Sequence, residues 1–178
     1  SYGVDLNRNY SYQWGGTYST NDPTAEDYRG TSAFSEPETQ AIRAFCNPRH
    51  MSASVSYHSY GELVLYPFGY DYVPAQDSSL LNSLATSMRN LINSTGGQSY
   101  IAEQSVDLYP AAGDSDDWGY GVHTTLCFTI ELRPVSAGGG GFVLPEIQIQ
   151  PTWLENKPAT YYLIQKMIDT QVGIRDWI

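Results

Sequence analysis

The stretch Thr124–Leu132 constrains the fold more than any other part of the chain. It reads Thr-Thr-Leu-Cys-Phe-Thr-Ile-Glu-Leu, a nearly continuous apolar run rich in β-branched and aromatic residues. No polar–apolar alternation passes through it, which is the pattern of a strand covered on both faces. Such a strand needs packed partners, and the chain offers amphipathic helices. Asp77–Asn93 carries Leu80, Leu81, Leu84, Met88, Leu91 and Ile92 at helical spacing, with Gly96-Gly97 as its stop. Ser35-Glu36-Pro37-Glu38 has the form of a helix start with Ser35 as cap. Ala41, Ile42 and Phe45 follow on one face, and Asn47-Pro48 ends the helix. A last helix is expected to bury Leu163, Ile164, Met167 and Ile168. Ser52–Tyr57 and Leu63–Pro67 read as further strands. Together these predict an α/β fold, with helices on both faces of a mixed sheet. Three or four strands are few for such a sheet. The chain, 1–178, is therefore expected to be a single partial domain truncated on its N-terminal side.

Composition narrows the function. Hydrophobic residues make up 41% and charged ones 16% of the 178 residues, the balance of a globular chain. A formal net charge of -10 argues against nucleic acid and against an anionic membrane surface as partners. No apolar run is long enough to span a bilayer, and the chain carries no signal peptide. Cys46 and Cys127 read as two buried thiols, with a disulfide left open. Residues 1–34 read as loop, and 98–118 as a long irregular loop of the kind that carries function. Asn9-Tyr10-Ser11 and Asn93-Ser94-Thr95 fit the glycosylation acceptor pattern.

Four patches carry chemistry. Glu131 lies near the end of the most apolar strand, where an acid needs a task or a partner. Burial would raise its pKa toward the range of a general base, and an ion pair with Arg133 or Arg8 is the structural alternative. His58 ends a predicted strand, but neither His50 nor His123 stands at metal-site spacing from it. Arg8, between Asn7 and Asn9, offers a planar fork that matches a carboxylate. Tyr109 heads a turn of small residues that leads to Asp114, Asp116 and Asp117. Three acids this close repel unless a cation or hydrogen bonds satisfy them, and Asp117 is the expected helix cap.

These patches resemble, in order and near spacing, the zinc carboxypeptidase family of the pancreatic A and B type and its bacterial secreted relatives. The segments are Gly3–Asn9, His58-Ser59-Tyr60 with Leu63–Tyr70, Tyr109–Trp118 and Phe128–Arg133. The resemblance implies a C-terminal portion of a mixed-sheet α/β peptidase domain. It implies that His58 is a zinc ligand and that Glu131 is the base that deprotonates the attacking water. It implies that Arg8 and Asn7 clamp the substrate's C-terminal carboxylate, and that Tyr109 folds over the substrate, with Ser59 and Tyr60 alongside. Asp5 would orient a zinc-binding histidine. Asp116 falls where B-type enzymes hold the acid for a C-terminal Lys or Arg, in a pocket lined by Gly69, with Asp114 as a second candidate.

The family draws its other two zinc ligands and an oxyanion-stabilising arginine from segments before the Asn-Arg motif, and only seven residues precede Arg8 here. Zinc is thus expected in the full-length enzyme and absent or incompletely liganded in this chain, which is expected to be inactive alone. Peptide or protein C-termini are the expected partners, self-association through an uncovered sheet edge is expected, and the family points to a secreted or periplasmic location. The competing readings are a related zinc deacylase of the aspartoacylase or succinylglutamate desuccinylase type, and a metal-free module that binds C-terminal carboxylates.

Overall fold

The computed structural model describes residues 3–16, 18–96 and 99–175. Its helices are α1 (Pro37–Cys46), α2 (Ser78–Gly96), α3 (Ser105–Leu108), α4 (Ser115–His123) and α5 (Ile149–Arg175). Its strands are β1 (Ala53–Ser59), β2 (Leu63–Tyr66), β3 (Ile101–Gln104) and β4 (Leu126–Leu132). The chain divides into two compact units. The first is Ser1–Ser54, Pro67–Gln76 and Gln104–Cys127; the second is Val55–Tyr66, Asp77–Glu103 and Phe128–Ile178. No helix among the described residues is long and apolar enough to cross a membrane.

The second unit is built on the sheet, in the order β1-β4-β2-β3. β2 runs antiparallel to β4, with Leu63 opposite Glu131 and Leu65 opposite Thr129. β1 and β4 run in the same direction: Leu126 N–H donates to Ser52 O where they begin, and Gly61 N–H donates to Leu132 O where they end. The sheet is therefore mixed, as the sequence predicts. Every residue of β2 is buried, and Val64, Phe128 and Ile130 are fully enclosed. Helix α2 packs on β2 and on α5. Its buried stripe is Leu81, Leu84, Ala85, Met88 and Ile92, and Leu80 lies outside it. On α5 the buried stripe is Glu155, Asn156, Ala159 and Leu163. Ile164 and Ile168 are exposed, against expectation, because one turn of a helix presents only a narrow face to its neighbour.

The first unit is irregular and polar. Tyr10, Phe34 and Trp118 form its aromatic core, with ring centroids 5.3–5.6 Å apart. Asn9, completely buried, stitches the loop together. Its Nδ2 donates to Arg29 O, Ser32 O and Ser35 Oγ, and its Oδ1 accepts from Thr39 Oγ1 at 2.7 Å. Gly30 has φ +83, and a side chain there would strike Asn9 and Ser35. Two expectations for α1 change. Glu36, not Ser35, occupies the cap position, because the Ser35 hydroxyl is bound to Asn9 and Glu36. The buried residue of the helix is Thr39, while Ile42 and Phe45 are exposed. The Asn9 acceptor sequence is sealed by these bonds, and Asn93 is held by both backbone groups of Tyr100, so neither side chain is presented for glycosylation in the folded state. Cys46 is half-buried and Cys127 buried, both as free thiols.

Candidate active site

In the first unit a short 3-10 turn, Leu6–Arg8, carries the Asn-Arg pair. Asp5 caps it, its Oδ1 accepting Asn7 N–H at 2.9 Å. Arg8 is buried. Its Nη1 donates to Asn7 O and lies 4.0 Å from Asp5 Oδ2, and its guanidinium stands 5.8 Å from the centre of the Tyr109 ring. Tyr109 itself is exposed. Asn7 does not point outward alone: its Oδ1 accepts Ser115 N–H at 3.0 Å, and Tyr10 N–H donates to Gly113 O. The clamp and the acidic turn are thus tied at two points.

The expected loop 98–118 is largely ordered into β3, α3 and the start of α4. The cap of α4 is Asp114, not Asp117. Asp114 Oδ1 accepts the N–H groups of Asp116 and Asp117 at 2.9 and 2.8 Å, the geometry of an N-cap. Asp117 turns to the strap after β2 and accepts the N–H groups of Gly69 and Tyr70 at 2.9–3.1 Å. Ala111 N–H donates to Gly69 O, so Gly69 is pinned from both sides. All three acids are buried. Burial first, and then the neighbouring Asp114 charge, pushes the Asp117 carboxyl up to about 9, and burial pushes Asp114 up as well. Asp116 adds negative potential at Tyr10 and Cys127, on the core side of α4.

In the second unit, His58 and Glu131 each stand one residue before the end of adjacent, co-directional strands. His58 is half-buried, and its Nε2 is 2.9 Å from Ser56 Oγ. Ser59 is exposed, and Tyr60 makes an edge contact with Phe142, ring centroids 4.9 Å apart. Glu131 is 7% exposed, its Oε2 has no hydrogen-bond partner among the described residues, and burial raises its carboxyl to about 7. The ion pair with Arg133 that the sequence leaves open does not form, since Arg133 binds Glu155. Gly61 faces Glu131: a Cβ there would sit 3.4 Å from Glu131 Cβ, so the absent side chain leaves room beside the acid. Among the described residues no three His, Cys, Asp or Glu side chains cluster in a way that would hold a metal.

Sequence reasoning missed Asp114 as the cap. The signal for Asp114 was its place directly before Ser-Asp-Asp, a run with helix-start character.

The family model for zinc carboxypeptidases matches residues 1–159. Carboxypeptidase B of Bos taurus is 39% identical over 171 residues, covering 94% of this chain and 40% of the relative. Zinc carboxypeptidase A 1 of Anopheles gambiae is 33% identical over 169 residues, covering 93% of this chain and 39% of the relative. The structure of bovine thrombin-activatable fibrinolysis inhibitor, solved in complex with tick carboxypeptidase inhibitor, superposes with a TM-score of 0.87 at 32% identity, over 94% of this chain and 58% of that one. The chain spans about 40% of the length of the curated relatives it matches. Through residues 1–159, the chain belongs to the zinc carboxypeptidase family.

Proposed function

We propose that this chain is the part of a zinc exopeptidase that grips the C-terminus of a peptide and supplies the general base for release of its last residue. The observation that carries the reading is Glu131: a buried carboxyl with an unpartnered Oε2, raised to about 7, at the end of the sheet's most apolar strand. A base whose pKa lies near the working pH is matched to proton transfer at neutrality. Glu131 takes a proton from the attacking water and returns it to the leaving amine. The bidentate fork of Arg8, held by Asp5 and Asn7, fixes the terminal carboxylate and so limits cleavage to one residue. Tyr109, exposed beside Arg8, closes over the bound residue, and Ser59 and Tyr60 line the peptide upstream of it.

His58 would hold zinc, and further ligands would join it. The metal, when bound, supplies a Lewis acid that polarises the scissile carbonyl and makes water acidic near neutrality. Asp5 keeps a second task, orienting a histidine ligand that joins His58. The acids of the 114–117 turn, with Asp116 first by its place in the motif, give a preference for C-terminal Lys or Arg. Similarity to carboxypeptidase B supports that preference. The enzyme works outside the cytoplasm, as a secreted or periplasmic protein.

The test is hydrolysis by the full-length protein of peptides ending in Arg, Lys, Leu or Phe, each with a free or an amidated C-terminus. Cleavage confined to the free acids, fastest for Arg and Lys, is expected. Equal cleavage of the amides overturns the reading, and turnover of N-acyl amino acids in place of peptides favours a deacylase.

A further inference from the structure

The turn from β1 into β2 encloses an acid that the fold itself does not bind. Glu62 is 5% exposed and has φ +57, a left-handed conformation uncommon for residues other than glycine. Its backbone is held on both sides. Glu62 N–H and Gly61 N–H donate to Leu132 O at the end of β4, and Glu62 O accepts Ile101 N–H at 3.0 Å from the start of β3. The carboxyl is not engaged in this way. Among the described residues it takes part in no hydrogen bond, and it acts on Arg133 through its charge. Arg133 is occupied elsewhere: Nε and Nη2 bind Glu155, and Nη1 donates to Gln148 Oε1 at 2.8 Å. Two acids thus lie near one guanidinium, and Glu155 holds it. Glu62 is the acid left over, and an enclosed acid without a bonded cation is unfavourable.

Glu62 lines a cavity of about 300 Å³ together with Arg133, Pro134, Gly139, Leu144 and Gln148. All of these belong to the second unit. Pro134 and Leu144 give the cavity apolar wall. Gly139 lets the 137–139 turn close against Pro134, since a Cβ there would lie 2.7 Å from Pro134 Cβ. The volume is at the lower end of the range of small-molecule sites. One enclosed acid beside apolar walls selects by charge and by shape. An anion is repelled by Glu62, and a neutral molecule leaves the acid without a partner. A cation on a short carbon chain meets the acid with its head and the walls with its body. We propose that this cavity binds a small organic cation, a primary ammonium or guanidinium on a short apolar chain, with its head on Glu62 and its chain against Pro134 and Leu144. None of His58, Glu131, Arg8 and Tyr109 lines the cavity, so the proposal does not depend on the peptidase chemistry.

The test is calorimetric, on the full-length protein, with n-butylammonium, n-butylguanidinium, 1-pentanol and butanoate as probes. Both cations are expected to bind, and the alcohol and the anion at least about tenfold more weakly. Glu62→Gln keeps the size of the side chain and removes its charge. It is expected to weaken the binding of both cations by about tenfold or more and to leave that of pentanol unchanged. Leu144→Lys keeps Glu62 and brings an ammonium group of the protein's own to the cavity wall. It is expected to abolish cation binding, and it carries the comparison should Glu62→Gln fail to fold. A peptide blocked at both ends with one internal lysine presents the same head on a larger body and is expected to bind more weakly than butylammonium. Tighter binding of that peptide would overturn the small-molecule occupant in favour of a basic side chain. Equal affinity for cation and alcohol, or undiminished cation affinity in the variants, overturns the site. Peptide hydrolysis is a separate readout: its loss would leave the cation site standing, and absence of cation binding would leave the peptidase reading standing.

Discussion

Arg133 turns its guanidinium to Glu155, 22 residues downstream, and not to Glu131, two residues before it: Nε donates to Glu155 Oε1 at 2.9 Å, and Nη2 pairs with Oε2. The reason is geometric. Arg133 lies just past the end of β4, and Glu155 comes from α5, is fully buried, and also accepts the Tyr100 hydroxyl at 2.9 Å. Glu131 is left to its burial, which raises its carboxyl to about 7. Arg133→Met would strand a buried carboxylate and is expected to destabilise the protein by about 3–5 kcal/mol. Urea unfolding reads this directly; a loss under about 1 kcal/mol would place the pair among those with no net stabilising role.

Removal of the base gives the sharpest kinetic test. Glu131→Gln keeps size and removes proton acceptance. In the full-length enzyme kcat is expected to fall by about 10²–10⁴-fold with KM nearly unchanged. The wild-type rate should rise with pH as Glu131 ionises, and the variant should lose that limb. A variant with the wild-type pH profile would remove Glu131 from proton transfer.

The clamp depends on a fork, which lysine cannot supply. Arg8→Lys retains the charge but not the paired N–H donors, and KM for free-acid peptides is expected to rise by about tenfold or more. Discrimination between free and amidated C-termini should shrink in parallel. Undiminished discrimination would assign carboxylate binding to another group.

Asp117 makes stability depend on pH. Its carboxyl is raised from 3.8 to about 9, so the folded state binds a proton that the unfolded chain has released. The contribution is fully present below pH 3.8 and is lost as pH rises through about 9. Glu131, raised from 4.5 to about 7, acts in the same direction. The protein is therefore expected to lose at least about 1 kcal/mol between pH 5 and pH 8. Asp117→Asn still offers an oxygen to Gly69 and Tyr70 and should flatten this slope. Thermal unfolding at the two pH values decides it, and equal slopes in both proteins would show that Asp117 is ionised throughout.

The candidate site residues were legible because each contradicts its surroundings. Glu131 interrupts an apolar strand, and Arg8 stands between two amides in a chain poor in cations. Helix α2 was legible from its apolar spacing, yet the same spacing misled on α5 and α1. Ile164, Ile168, Ile42 and Phe45 have the right period but are left exposed, since period reports a face and not what covers it. The order of the 98–118 segment was hidden because its bonds are long-range: Gln104 Nε2 to Phe68 O and Val73 O, and Asp117 to Gly69 and Tyr70.

Local pattern thus settled the α/β class and the family, because periodicity and residue type are properties of neighbours along the chain. Which acid caps α4, which acid binds Gly69 and Tyr70, and which carboxylate takes Arg133 were decided only by tertiary structure. Asp114, Asp116 and Asp117 are chemically identical in sequence. They become different when Gly69 and Tyr70 bring their N–H groups to Asp117 and the first turn of α4 brings its own to Asp114 Oδ1.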